Sequence, residues 1–294
     1  MITMTGSESF IGSCLASVLD ARGESWTGID TIARHKRTQR ADIREASVAD
    51  LMAEGGTLIH LAAISRDGDC RQSPREAFDV NVGGTLNLID AARRRGVRRF
   101  LFASSEWVYG EVANSEVQRE DAPLDATRLV SEYALTKLAG ERLLAGAGRR
   151  GDIPSITVLR FGIVYGPRPS NWSAVEMLHD AVTHKDVVEV KGSLSTARRF
   201  IHVEDICSGI LAAAALERPG FAVFNLSGDR LITLGEVIEE SMRLYGRSPR
   251  VVEGQPQAVS VRNPDNAKAR AELGWAPAFD LARGLATLEQ AVAV

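Results

Sequence analysis

The sequence predicts an α/β fold: a doubly wound parallel sheet with a smaller C-terminal domain. Three observations carry this expectation. Short apolar strands at 1–4, 25–30, 57–61, 100–104 and 156–161 alternate with helical patterns, the spacing of successive β-α-β units. The first strand runs into a glycine turn that opens a helix. Beyond Gly166 the alternation loosens, as it would where a smaller domain begins.

The opening turn reads Thr5-Gly6-Ser7-Glu8-Ser9-Phe10-Ile11-Gly12, followed by a helix through Leu15, Val18 and Leu19. Strand, glycine turn and helix N-terminus together suit the pyrophosphate of a dinucleotide. Ser9 stands where a full fingerprint has its central glycine. Its Cβ is expected to hinder backbone approach to phosphate, and Glu8 adds a negative charge nearby. The second strand ends in Asp30, eighteen residues past Gly12. A carboxylate there can bind both ribose hydroxyls and would repel a 2′-phosphate. Arg34, Lys36 and Arg37 follow closely and could neutralise such a phosphate.

Asp42-Ile43 comes next, then the strand at 57–61, which runs into Ala62-Ala63. Their small side chains let a ligand approach the backbone. One helix is expected over 74–95, carrying Asn81 and Gly83-Gly84-Thr85. Farther on, 172–184 reads as a helix, 187–190 as a short strand and 203–216 as an Ala-rich buried helix. Thr233-Leu234-Gly235-Glu236 is a capping box. Asp265 and Asp280 are placed to cap two more helices, with Gly274 closing the first.

The stretch that carries chemistry is a broken one. Phe100-Leu101-Phe102-Ala103-Ser104-Ser105 is a buried strand. The pattern resumes at Tyr133-Ala134-Leu135-Thr136-Lys137, the start of a helix. Tyr133 and Lys137, at i and i+4, share one helix face. An ammonium near a phenol lowers a pKa that is otherwise about 10, which makes Tyr133 an acid/base and Ser105 a hydroxyl for the same substrate oxygen. The same spacing also suits a packed tyrosine ring beside a solvated lysine, so the context has to decide.

At 294 residues with a net charge of -3, the chain gives no reason to expect nucleic acid or a membrane as partner. Cys14, Cys70 and Cys207 are scattered, odd in number and in no metal spacing, which suggests free thiols in a reducing, cytoplasmic compartment. No signal segment opens the sequence and no apolar run approaches membrane length. The histidines offer no ligand set, so no metal is expected.

In these residues the chain resembles the extended short-chain dehydrogenase/reductases of the nucleotide-sugar epimerase/dehydratase family. The matching pieces, in order, are Thr5-Gly6…Phe10-Ile11-Gly12, Asp30, Asp42-Ile43, His60-Leu61-Ala62-Ala63 and Asn81-Val82-Gly83-Gly84-Thr85. Then come Ser104-Ser105…Val108-Tyr109-Gly110, Tyr133…Lys137, Leu159-Arg160…Val164-Tyr165-Gly166-Pro167, Arg198 to Asp205, Asn225 and Leu273-Gly274-Trp275. The resemblance implies a Rossmann domain over 1–165 and 203–227 and a nucleotide-sugar domain over 166–202 and 228–294. It implies NAD held by Gly6, Ser9, Phe10, Ile11, Gly12, Asp30, Asp42, Ile43, Leu61, Ala62, Ala63, Asn81, Tyr133 and Lys137. Ser105, Tyr133 and Lys137 would be catalytic. Ser105, Glu106, Arg198 and Arg262 would hold the nucleotide-diphosphate sugar, with Arg199 a surface charge. The family also implies a homodimer paired through the helices bearing Asn81 and Tyr133.

Two departures bear on the reaction. Related dehydratases carry Asp-Glu after the catalytic hydroxyl, where this chain has Glu106-Trp107, which disfavours dehydration. Many 4-epimerases carry Asn where this chain has Ile163, which leaves the pose of the substrate open. The expected function is C4 epimerisation of a nucleotide sugar through a 4-keto intermediate. The alternatives are one-way reduction of a 4-keto-sugar nucleotide and non-catalytic dinucleotide binding.

Overall fold

The computed structural model of the chain describes residues 1–111 and 116–291, the last two of these by backbone alone. In chain order the first elements are β1 Ile2–Thr5, α1 Phe10–Ala21, β2 Trp26–Asp30, β3 Thr38–Arg40 and β4 Thr57–His60. They are followed by α2 Asp67–Gln72, α3 Pro74–Phe78, α4 Gly84–Arg94, β5 Arg99–Ser105, α5 Glu132–Arg150 and β6 Ser155–Phe161. Then come β7 Val164–Tyr165, α6 Ala174–His184, β8 Val187–Val190, β9 Ala197–Arg198, β10 Ile201–His202, α7 Val203–Ala215 and β11 Gly220–Leu226. The last are β12 Ile232–Thr233, α8 Leu234–Tyr245, β13 Arg250–Glu253, α9 Ala267–Leu273 and α10 Leu281–Ala286.

The chain divides into two compact units. The first comprises Met1–Gly110, Pro123–Arg160 and Cys207–Phe224; the second comprises Glu111–Ala122, Phe161–Ile206 and Asn225–Val294. A seven-stranded sheet in the order β11-β6-β5-β4-β1-β2-β3 runs through the first. β3, β2, β1, β4 and β5 pair in parallel, as β-α-β crossovers require. This is the doubly wound architecture expected from the alternation. Leu58, Phe100, Phe102 and Val158 from the strands pack with Leu88, Ala92, Leu144 and Ala147 from α4 and α5. The second unit has its own core of Val175 and Val182 from α6, Val188, Ile238 from α8, and Leu285.

The expected single helix over 74–95 is interrupted by a π turn at Asp79–Gly83. The reason lies in contacts distant in sequence. Asn81 Oδ1 accepts from Ile64 N at 2.8 Å, while its Nδ2 donates to Ile64 O at 2.9 Å and to Thr136 Oγ1 at 3.0 Å. Drawing this side chain inward is accommodated by one wide turn. Other ends follow local rules. Thr233 and Glu236 form the expected capping box, and Asp280 caps α10. α9 ends on Gly274 at φ 62, but its N-cap position is Asn266, one residue past Asp265. Asp265 Oδ1 accepts from Ala267 N at 3.1 Å, so the carboxylate still serves that end of the helix from one residue upstream.

β5, β6 and α5 are tied by a buried polar cluster. Arg160 donates from Nε and Nη2 to the two Glu141 oxygens at 2.9 and 2.8 Å, and from Nη1 to Tyr109 Oη at 2.8 Å. Ser104 donates to Glu141 Oε1 at 2.6 Å. Both charged side chains are buried, so removing one strands the other, at about 3–5 kcal/mol. Arg160→Leu is expected to lower unfolding free energy by roughly that amount, and Arg160→Lys, which cannot reproduce the fork, by a smaller part of it. Denaturant unfolding checks both; a near-silent Arg160→Leu would show the cluster to be incidental.

Candidate functional site

β5 delivers Ser105 at its C-terminal end, where the backbone turns into a 3-10 segment at Glu106–Tyr109. Ser105 Oγ accepts from Trp107 N at 3.3 Å, which fixes its rotamer. Across from it, Ser131 caps α5 by accepting from Ala134 N at 3.2 Å, and the first turn presents Tyr133. The Ser105 hydroxyl lies close enough to the Tyr133 hydroxyl to favour its ionised form. Trp107 packs edge-on against the Tyr133 ring, centroids 6.2 Å apart. Glu106, expected to touch substrate, is fully buried within that 3-10 segment.

Lys137 lies one turn along α5, with Nζ 5.8 Å from the Tyr133 ring centre and 5.0 Å from that of Phe102. It donates to Ala103 O at 2.8 Å. Burial pushes the ammonium down to about 8. The phenol moves opposite to the direction suggested by the i, i+4 spacing. Desolvation pushes Tyr133 up to about 12, against the nearby Ser105 hydroxyl, which favours the phenolate. Spacing predicts who stands beside whom; it does not predict how much water is excluded.

The turn at Asn81 extends into a directed chain. Thr85 Oγ1 donates to Asn81 O at 2.6 Å, so at 3.0 Å it can only accept from His60 Nε2. His60 Nδ1 must then accept from Thr5 Oγ1, at 2.8 Å. Desolvation, with Lys137 as second cause, pushes the His60 imidazole down to about 3. It is a neutral structural link between β1, β4 and α4.

A cavity of ≈ 380 Å³ opens at the sheet's other functional corner, lined by Gly6, Glu8, Ser9, Asp30, Asp42, Ile43, Ala62 and Ala63 among others. Gly6 adopts φ +71, and a Cβ there would lie 2.6 Å from Ala62 N, so the turn must be glycine to sit on the end of β4. Ser9, in contrast, sits at φ -70 and caps α1, its Oγ accepting from Gly12 N at 3.1 Å. The missing glycine has thus become a helix cap, and the backbone there does not need one. Asp30 Oδ2 accepts from Glu8 N at 2.9 Å and Oδ1 from Ile32 N at 3.2 Å. Asp42 is gripped by Arg44 through Nε and Nη2.

In the second unit, β9 runs antiparallel to β12 and bridges Val261, which places Arg198 and Arg262 on adjacent segments. Arg198 Nη1 donates to Ser260 O at 2.7 Å and Nη2 to Ser260 Oγ at 2.6 Å. Arg262 is buried, with Nη2 3.7 Å from Glu111. Arg199 is not the loose surface charge its alternation suggested. It is half-buried, donating from Nε to Asn263 Oδ1 at 2.6 Å. The pairing partners lie more than sixty residues away, and no local pattern could have announced them.

The profile of the NAD dependent epimerase/dehydratase family matches residues 2–227. The chain belongs to this family. The UDP-glucose 4-epimerase of Streptomyces lividans is 27% identical over 93% of this chain and 90% of its own length. The dTDP-glucose 4,6-dehydratase of Streptomyces griseus is 31% identical, covering 85% of this chain and 75% of its own. Among solved structures, MoeE5 in complex with UDP-glucose and NAD is 30% identical with a TM-score of 0.88, over 99% of this chain and 98% of that one. The chain is thus an epimerase/dehydratase-family enzyme of the short-chain dehydrogenase/reductase superfamily, and the family's cofactor is NAD.

Two measurements check the local roles. Ser9→Ala is expected to cost about 1 kcal/mol of stability through the lost cap and Ser9→Gly only a few tenths, by denaturant unfolding; equal losses would deny the cap. His60 stays neutral in the folded protein to about pH 3, while unfolded it titrates near 6.5. The unfolded state therefore binds the extra proton, and the contribution of His60 is complete above pH 6.5 and lost as pH falls towards 3. His60→Asn should flatten the acid side of the stability–pH curve; an unchanged slope would show that His60 does not set it.

Proposed function

We propose that the protein is an NAD-dependent nucleotide-sugar 4-epimerase. The observation that carries the reading is the Ser105 hydroxyl, at the end of a buried strand, close to the Tyr133 hydroxyl, with Lys137 one turn behind it and held by Ala103 O. Trp107, packed on the Tyr133 ring where related dehydratases carry a second acid, supports epimerisation over dehydration. The Streptomyces lividans relative, named as a UDP-glucose 4-epimerase, agrees with it.

The residues present suit a dinucleotide. The turn Gly6, Ser9, Phe10, Ile11 and Gly12 is assigned to the pyrophosphate, Asp30 to the ribose diol, and Asp42 with Ile43 to the base. Leu61, Ala62, Ala63 and Asn81 continue the path towards Tyr133 and Lys137. NAD, when bound, supplies the acceptor and later the donor of the C4 hydride. Tyr133, once its resting proton has passed to solvent, takes the proton of the C4 hydroxyl as phenolate and returns it. Ser105 holds the same oxygen by donating a hydrogen bond while the 4-keto sugar turns. The Lys137 ammonium, close to the ring, stabilises the phenolate as it forms. Arg198 and Arg262 are assigned to the substrate diphosphate, where a guanidinium matches phosphate oxygens. We assign 1–165 with 203–227 to cofactor and 166–202 with 228–294 to nucleotide sugar; residues 292–294 lie outside those described. A homodimer in the cytoplasm completes the proposal.

One-way reduction of a 4-keto-sugar nucleotide is a second reading, favoured by one observation. Tyr133 rests protonated, pushed up to about 12 by burial, and so stands ready as a proton donor to a ketone. Turnover of a nucleotide-sugar panel decides between them: an epimerase interconverts C4 epimers with no net redox change, and a reductase consumes reduced cofactor stoichiometrically. Tyr133→Phe is expected to lower turnover about 10²- to 10⁴-fold with a near-native thermal midpoint, and Lys137→Met to move the remaining activity to higher pH. Tyr133→Phe retaining more than about a tenth of the turnover would end the acid/base assignment.

A further inference from the structure

Glu8 is the residue of the opening turn that has no place in the scheme above. Its backbone N–H donates to Asp30 Oδ2 at 2.9 Å, which puts it one hydrogen bond from the carboxylate assigned to the ribose diol. Its side chain does not point away into solvent. Oε1 accepts from His35 N at 3.0 Å, and Thr38 and the Arg34 backbone also hydrogen-bond the carboxylate. Glu8 thereby clips the 31–37 segment, which links β2 to β3, onto the glycine turn. Partial burial opposes ionisation there, but these hydrogen bonds outweigh it and hold Glu8 below the usual carboxylate range. These hydrogen bonds favour the ionised carboxylate and fix its position.

The rest of the cavity has the same sign. Its charged lining is Glu8, Asp30, Asp42 and Glu76 against Arg44. Arg44 cannot serve a new anion cheaply, because its guanidinium is already spent on Asp42 and, through Nη1 at 2.9 Å, on Glu76. Of the three cations that follow Asp30, Arg37 is turned to Asp20 at 3.6 Å and to Glu24 O at 3.0 Å. Arg34, Lys36 and a fourth cation, Arg40, which stands opposite Asp30 in the β2–β3 register, are exposed, where solvent screens them.

We propose that Glu8 is a cofactor-selectivity residue: its clipped carboxylate stands beside Asp30 as a second, fixed negative charge that rejects a 2′-phosphorylated dinucleotide. Asp30, held by Glu8 N and Ile32 N, supplies one fixed charge there, and Glu8 adds a second on the same turn. Glu8 cannot rotate away without releasing the 31–37 segment. The inference rests on the dinucleotide reading of this cavity and deepens it.

Equilibrium titration of the purified protein with NAD and with NADP, followed by quenching of intrinsic tryptophan fluorescence, tests both layers. Glu8→Gln removes the charge but keeps an oxygen for His35 N. It is expected to improve NADP affinity about 5- to 30-fold, the scale of one charge acting across several ångströms of partly screened medium, while NAD affinity moves by less than about twofold. Glu8→Ala, which also loses the clip, is expected to weaken both ligands and to lower the thermal midpoint. Higher ionic strength should narrow the NADP penalty of the wild type more than that of Glu8→Gln, where one of the repelling charges is already gone. If NAD binds but Glu8→Gln leaves the NAD/NADP ratio within about twofold, the Glu8 proposal falls and the cofactor assignment stands. If the wild type binds neither dinucleotide, the cofactor assignment falls first and takes the proposal with it.

Discussion

The buried Glu141–Arg160 pair is the constraint on which the candidate site depends. Tyr133, Lys137 and Glu141 stand four residues apart on α5, so they form one stripe down a single face. The two lower rungs are fastened to β5 or its neighbour, Lys137 to Ala103 O and Glu141 to Ser104 and Arg160, and Tyr133 stands beside Ser105. The lowest rung is the strongest, a two-pronged ionic fork closed off from water. It fixes the helix in rotation and in height, and the reactive end inherits that register. A helix held by apolar contacts alone could slip by part of a turn at small cost. One held by a fork that fits a single geometry cannot.

Preorganisation of this kind extends to the groups assigned to ligands. Asp30 is held by backbone N–H donors, Asp42 by a guanidinium and Arg198 by Ser260. Each side chain has its rotamer chosen before any ligand arrives, so binding loses little side-chain entropy. The corresponding cost is carried in folding, where burial of polar groups is offset only when every donor and acceptor finds a partner.

β1, β2, β4, β5, β6 and β8 were legible because each is an apolar run bounded by turn residues, a local signal, whereas β3, a polar Thr38-Gln39-Arg40, and the other short strands were not. The caps at Thr233 and Asp280 were legible too, since they need only a side chain and the next three amides. What stayed hidden depended on distant partners. The π turn at Asp79–Gly83 arises from Asn81 reaching Ile64 and Thr136, and the fastening of Arg199 from Asn263. Ser9 was visible as a departure from a glycine pattern, but its role as a cap depends on a φ of -70, which a sequence does not display. The phenol of Tyr133 is the clearest case. Its neighbour Lys137 could be read from spacing, whereas its desolvation is a property of the packed whole.

The Thr5–His60–Thr85–Asn81 chain has a polarity as well as a geometry. Every hydroxyl and the imidazole in it passes one hydrogen in the same sense, from β1 towards the main chain of the π turn, where a carbonyl ends the run. A row of such donors behaves like a one-way valve. A proton entering at the carbonyl end would have to reverse all the dipoles together and place charge on an imidazole that burial keeps neutral. The chain is thus insulating although it is built from the groups that elsewhere conduct protons.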